Sequence, residues 1–287
     1  MVEVKAIACQ LPAELGLPFS RLFVPDIQAE VLRRGLVAEI SGTTIWRWLA
    51  EDALKPWTFR SWIFPRDPDF ELKAGRVLDL YAGKFEGRRL GPNEFVISAD
   101  EKTSIQARRR CHPTLPPASA RAMRVEHEYE RAGALQYLVA WDVHRAKLFS
   151  RCEAKTGIEP FARLVAQVMA TPPYARAKRV FWVVDNGSSH RGEASVRRLR
   201  ERFRNLCLVH CPIHSSWLNQ VEIYLSIVQR KVLTPNDFPD LAMAERRLGD
   251  FERLYEAAAK PFEWKFTRRD LALLMRRLAT GTGRSAA

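Results

Sequence analysis

Two short apolar runs constrain this chain more than any other feature. Phe95-Val96-Ile97-Ser98-Ala99 and Val180-Phe181-Trp182-Val183-Val184 are rich in β-branched and aromatic residues, and each ends at an acid, Asp100 and Asp185. Runs of this length that are apolar on both faces suit strands inside a covered sheet. Residues 135–143 and 147–152 read as two further strands, forming an antiparallel meander with the first. Helix and strand then alternate: a helix at 160–169, the strand ending at Asp185, a helix at 193–203, a strand at 206–210 and a long helix at 218–233. The order implies an α/β fold with a mixed sheet flanked by helices. A helix from about residue 70 leads into this region, and amphipathic helices at 241–260 and 268–278 follow it.

The prolines of the stretch Trp62–Pro68 interrupt any regular pattern and mark a joint. We therefore divide the chain into a small region, 1–65, and a larger domain, 66–287. In the first, residues 25–35 read as a helix closed by Gly35. Ser41 caps a second, at 43–53, with Ile45, Trp48, Leu49 and Ala53 at helical spacing. Two short helices around a tight turn form a helix-turn-helix pattern, in which Thr43, Thr44 and Arg47 face a DNA groove. A helical hairpin that only packs on its neighbour gives the same pattern.

Charge separates the two regions. The 287 residues carry a formal net charge of +13, which favours polyanionic partners. Residues 1–95 hold 13 bases and 13 acids, so the whole excess lies beyond them. No apolar run is long enough to span a bilayer, the first residues lack a secretion signal, and the five cysteines follow no disulfide framework. A cytoplasmic location is the expectation.

Acids at the carboxyl ends of strands lie where α/β sheets place their sites. A buried carboxylate needs a partner, and a divalent cation is a good one. A third acid, Glu222, lies on the long helix, where Asn219, Glu222, Ser226 and Gln229 form a polar stripe beside an apolar one. Three converging carboxylates suit a pair of hard cations that make or break phosphodiester bonds. Taken singly, Asp185 can instead cap the turn at Asn186-Gly187, and Glu222 can pair with a surface base such as Arg230.

Around these acids, Lys102 and Gln106 are candidates to steady a phosphate. Asn186, Ser188, Ser189 and His190 are candidates to bond phosphate oxygens or orient a water, and Trp217 to stack on a base. The insertion from Ala107 to Pro117 carries Arg108, Arg109 and Arg110, a basic segment fit to track phosphates or simply to stand in solvent. Cys207, His210, Cys211 and His214 bear zinc-binding atoms, but strand alternation points His210 away from the two thiols and argues against zinc.

Three blocks carry a resemblance. ISADEKTSIQA at 97–107, VVDNGSSH at 183–190 and PIHSSWLNQVEIYLSIVQRKVL at 212–233 resemble the signature blocks of the mariner-like superfamily of transposases, in particular its bacterial insertion-sequence branch. The resemblance implies a ribonuclease H-like domain with Asp100, Asp185 and Glu222 as the acidic triad. It also implies Asn219 of the third block as a DNA-contacting candidate, magnesium as cofactor with manganese able to substitute, and cutting at transposon ends followed by joining of the 3′ ends to a target. Where mariner itself carries its third Asp this chain has Trp217, so Glu222 must serve. The 36 residues between Asp185 and Glu222 are two more than is usual there, which a loop absorbs.

The partners so implied are double-stranded DNA, as terminal repeats and as target, and a second copy of the chain in a homodimeric synapse. The rival reading is a DNA-binding remnant that does not cut. Relatives of this branch carry a further helix-turn-helix region ahead of what is here residue 1, so the expectation is an incomplete DNA-reading region.

Overall fold

A computed structural model describes residues 1–59, 65–187 and 193–281. The chain divides into two compact units, Met1–Phe64 and Pro65–Ala287.

The first unit is built on α1 (Val2–Ala8), α2 (Val24–Arg33) and α3 (Gly42–Glu51). Gly35, at φ +64°, closes α2 as expected of a left-handed glycine. Ser41 caps α3, its hydroxyl accepting from Thr44 N at 3.2 Å. Ile27 and Val31 of α2 and Ile45 and Leu49 of α3 bury against each other, and α1 adds Val4 and Ile7 to the same core. That helix carries too few residues for a periodic signal, and the sequence reading did not include it.

In the second unit, α4 (Phe70–Tyr81) and a small hairpin, β1 (Lys84–Phe85) with β2 (Arg88–Arg89), precede a five-stranded sheet. Its strands are β3 (Glu94–Arg109), β4 (Glu130–Asp142), β5 (Lys147–Glu153), β6 (Arg179–Val184) and β7 (Leu206–His210), in the order β5-β4-β3-β6-β7. The meander β3-β4-β5 is antiparallel, whereas β6 and β7 join it in parallel. A helix, α5 (Ile158–Ala170), connects β5 to β6, and α6 (Glu193–Arg202) connects β6 to β7. The remaining helices are α7 (Val221–Lys231), α8 (Leu241–Glu256) and α9 (Arg268–Gly281).

Strand alternation gives the sheet two apolar faces. Ile97, Leu138, Val180 and Trp182 pack with Leu164 and Val168 of α5. Val96, Val139, Trp141, Phe181 and Val183 pack on the other side with α4, α7 and α8. The layer order is therefore helix, mixed sheet, helix. Among the described residues no helix is long and apolar enough to cross a membrane.

Two departures from the sequence reading matter below. The first strand does not end at Asp100 but runs on to Arg109, paired there only with β4. The long helix expected at 218–233 is broken: a 3-10 turn, Ser216–Leu218, is followed by extended backbone at Asn219, φ −80° and ψ 108°, before α7 begins.

Candidate active site

Asp100 and Asp185 owe their placement to strand register. Ser98 of β3 lies opposite Val183 of β6, and continuing that parallel register by two residues sets Asp100 level with Asp185. Alternation points both to the face that carries α7, the same side as Val96, Ser98, Phe181 and Val183. Asp185 does cap its turn, with Oδ1 accepting from Gly187 N at 2.8 Å. Asn186 turns inward, donating from Nδ2 to the Cys211 carbonyl at 2.6 Å and tying this turn to the end of β7. That bond gives it a structural use beside its candidacy as a phosphate contact.

Glu222 stands in the first turn of α7, half-buried. Burial raises its carboxyl above the ordinary range, Lys102 draws it back down, and the negative charge of Asp185 pushes it up further. The third acid therefore lies in the electrostatic field of the second. Among the described residues, no group of three His, Cys, Asp or Glu side chains stands close enough to hold a metal ion together. The donor chemistry nevertheless suits a hard cation: Asp100, Asp185 and Glu222 all offer carboxylate oxygens, and their mutual repulsion is what a cation relieves. Burial, with the charges of Asp100 and Asp185, pushes the neighbouring Cys211 thiol well up.

The segment leading into Glu222 is latched to the sheet. Ser98 donates from Oγ to Asn219 Oδ1 at 2.5 Å and accepts from Val221 N at 2.8 Å. Asn219 Nδ2 donates to the Ala99 carbonyl at 2.8 Å and to Asp100 Oδ2 at 3.0 Å. Tyr81 donates to the Leu218 carbonyl and accepts from Gln220 N, while Trp141 Nε1 donates to Gln220 Oε1 at 3.1 Å. Upstream, the buried Asp67 carboxylate accepts from Ile213 N at 2.9 Å and pairs with Lys73. These bonds are the reason the expected helix breaks. They also correct the reading of Asn219 as a DNA contact: it is fully buried, and its amide is spent on Ser98, Ala99 and Asp100. Asn219 positions the site from within.

The other candidates are dispersed. Lys102, Gln106, Arg108 and Arg110 line one groove beside β3, whereas Arg109 is exposed. Trp217 is 37% exposed, with its ring edge-on to Phe266. Ser188, Ser189 and His190 lie outside the described residues. In the first unit Thr43 and Arg47 are exposed on α3, and Thr44 is tied to Ser41 by hydroxyl and backbone bonds. Sequence reasoning missed Asp67, Tyr81, Ser98 and Gln220 as positioning residues. Ser98 had a visible signal, a lone hydroxyl in an apolar run, but its partner lies 121 residues away.

A model of the DDE superfamily endonucleases matches residues 96–243, just over half of the chain and all of the segment holding the three acids. The chain belongs to the DDE superfamily endonucleases. Among solved structures, the Mos1 mariner paired-end complex with Mn is similar at a TM-score of 0.53 and 14% identity, with 100% of this chain and 79% of that chain covered. A pre-cleavage Mos1 transpososome is similar at 0.51 and 17% identity, covering 94% and 80%. Identities this low speak to the fold: this DDE endonuclease has the ribonuclease H-like mixed sheet flanked by helices. No curated protein matches it in sequence.

Proposed function

We propose that this endonuclease is a transposase, which cuts DNA at the ends of a mobile element and joins the freed 3′ ends to a target. The observation that carries the reading is the pairing of Ser98 with Val183 on adjacent parallel strands, two residues before Asp100 and Asp185 respectively, with Glu222 in the field of Asp185. Solved relatives of the same fold are a paired-end complex with Mn and a pre-cleavage transpososome, and this chain is similar to them over most of its length.

Asp100, Asp185 and Glu222 are the residues that would hold divalent cations, magnesium or manganese. When bound, such cations polarise the scissile phosphodiester and supply a nucleophilic oxygen. The chain's own contribution is orientation. Asn219 holds one oxygen of Asp100 and the Glu101 backbone N–H the other, while the turn after Asp185 holds Oδ1 of that residue. Lys102, next but one to Asp100, brings positive charge to the rim where phosphate must approach.

The first unit supports DNA reading through α3, where Thr43 and Arg47 are exposed beside Trp46. Double-stranded DNA, as terminal repeat and as target, is the substrate, and a second copy of the chain completes the synapse. The deciding experiment incubates the chain with a duplex bearing the element's terminal repeat and magnesium, and follows strand cleavage at the repeat boundary. Cleavage that requires the metal is the expected result. Repeat binding without any cutting in magnesium or manganese would replace this reading with that of a DNA-binding remnant.

A further inference from the structure

Past Asp100, β3 runs into a groove of about 710 Å³ between the root of the β3–β4 hairpin and the C-terminal end of α7. Lys102, Arg108, Arg110, Tyr129, Leu233 and Asn236 are among the residues that line it. Its size falls within the range of sites that enclose small organic groups, roughly 300–1,000 Å³.

Two buried side-chain atoms of this lining have no hydrogen-bond partner: Arg108 Nε, a donor, and Asn236 Oδ1, an acceptor. Polar groups beside them bond within the groove wall. Asn236 Nδ2 donates to the Gln106 carbonyl at 2.6 Å, and the Asn236 carbonyl accepts from Arg110 Nη1 at 2.5 Å. Arg110 Nε donates to the Glu126 carbonyl at 2.7 Å. Arg108 is anchored through its backbone, donating to the Phe238 carbonyl, while its guanidinium lies 4.5 Å from the centre of the Tyr129 ring. A buried polar atom without a partner costs about 1–3 kcal/mol, so a groove retaining both a donor and an acceptor is built for a ligand that offers both.

This pairing discriminates between ligands. A phosphate presents acceptors only; it would satisfy Arg108 and set like dipoles against Asn236 Oδ1. The edge of an unpaired base presents donors and acceptors side by side, and its face stacks on an aromatic ring or a guanidinium plane. We propose that this groove holds an unpaired nucleobase of the DNA strand on which the three acids act, with Arg108 Nε and Asn236 Oδ1 reading its edge while Tyr129 holds the guanidinium in place. The inference rests on the function proposed above. Arg108 lies eight residues beyond Asp100 on the same strand, a reach of up to about 26 Å at roughly 3.3 Å per residue, so the base lies no more than several nucleotides from the scissile phosphate.

The test uses the full chain without divalent cations, so that nothing is cut. Affinities are measured by fluorescence anisotropy for a duplex with a single-stranded overhang, of either polarity, and for the same DNA with one abasic position at a time, which preserves the backbone charge. Loss of a base at one position weakens binding tenfold or more, and Arg108→Lys, which keeps the charge but not the fork, abolishes that dependence. An abasic scan that is flat at every position overturns the proposal, and because it uses the unaltered protein, folding does not enter. An Arg108→Lys variant that weakens natural and abasic overhangs equally, with the slope of log affinity against log salt lower by about 1, overturns it in favour of a phosphate contact. A flat scan with strong duplex binding leaves the proposed transposase standing. A base-dependent overhang on a chain that never cuts sustains the groove and removes the transposase reading.

Discussion

Asn219 donates a hydrogen bond from Nδ2 to Asp100 Oδ2 at 3.0 Å, linking the residue that ends the 3-10 turn before α7 to the acid on the central strand. The same side chain accepts from Ser98, so one buried amide sets both the orientation of an acid and the starting point of the helix that bears Glu222.

Replacing Asn219 with Ala therefore removes three bonds at once and leaves Ser98 and Asp100 short of partners. The expected loss is about 1–3 kcal/mol of stability, a fall in melting temperature of roughly 2–12 °C for a unit of this size. Cleavage falls further than stability accounts for, because Asp100 loses its anchor. Thermal denaturation beside cleavage rates at a temperature where the variant is folded separates the two effects; an unchanged rate there would leave Asn219 a purely structural residue.

Asp100→Asn, Asp185→Asn and Glu222→Gln each remove one carboxylate charge with little change of shape. Cleavage in magnesium drops at least about 100-fold for each, while duplex affinity stays within a few-fold, since no phosphate-binding base is touched. Gel-shift and cleavage assays on the same preparations decide it. A variant that keeps above about 1% of parental cutting takes its residue out of the triad.

Acid stability depends on two buried carboxylates. The Arg88 guanidinium holds Glu94 at about 2, with help from Gly91 N and Arg179. In the first unit, Arg33 and Arg34 hold Glu30 at about 2. Both lie below the ordinary value of 4.5, so the stabilisation is complete above pH 4.5 and is lost as pH falls from there towards about 2. Urea titrations between those limits show falling stability, and Glu94→Gln flattens part of that slope. A parallel decline in the variant would show that Glu94 is not a source of it.

Among the three arginines of the basic insertion, Arg109 is the exposed one. Arg109→Ala lowers the slope of log affinity against log salt by about 1 on any duplex if that side chain meets a phosphate. An unaltered slope makes it a bystander.

Arg47→Ala on α3 reduces preference for the terminal repeat over random DNA by about 1–3 kcal/mol, the worth of one bidentate base contact, with no large change in non-specific affinity. Footprinting with competitor DNA measures the ratio. Equal loss on all sequences would mean that Arg47 touches only the backbone.

Much of this was legible from residue order. The strand at 206–210 stands where its apolar residues put it, Ser41 caps its helix, and the two acids follow apolar runs long enough to be central strands. The second half of β3 was not legible, because beyond Asp100 it leaves the parallel neighbour, pairs only with β4 and carries polar residues on an uncovered face. The continuous apolar signal disappears where burial on both sides does.

The break before α7 marks the division most clearly. Local periodicity from Leu218 onward favours helix, and periodicity reports only what neighbouring residues bury together. Bonds from Asn219 and Gln220 to Ser98, Ala99, Asp100, Tyr81 and Trp141 span sequence separations of 79 to 139 residues, and together they outweigh a turn of helix. By itself the sequence determined the apolar cores of the five central strands and that two of those runs lead directly into an acid, since burial and alternation act within a few residues. Only the tertiary structure decided that Asn219 lies inside, that Glu222 begins a helix beside Asp185, and that Arg108 and Asn236 share a groove, because those relations depend on polar atoms finding partners across the whole domain.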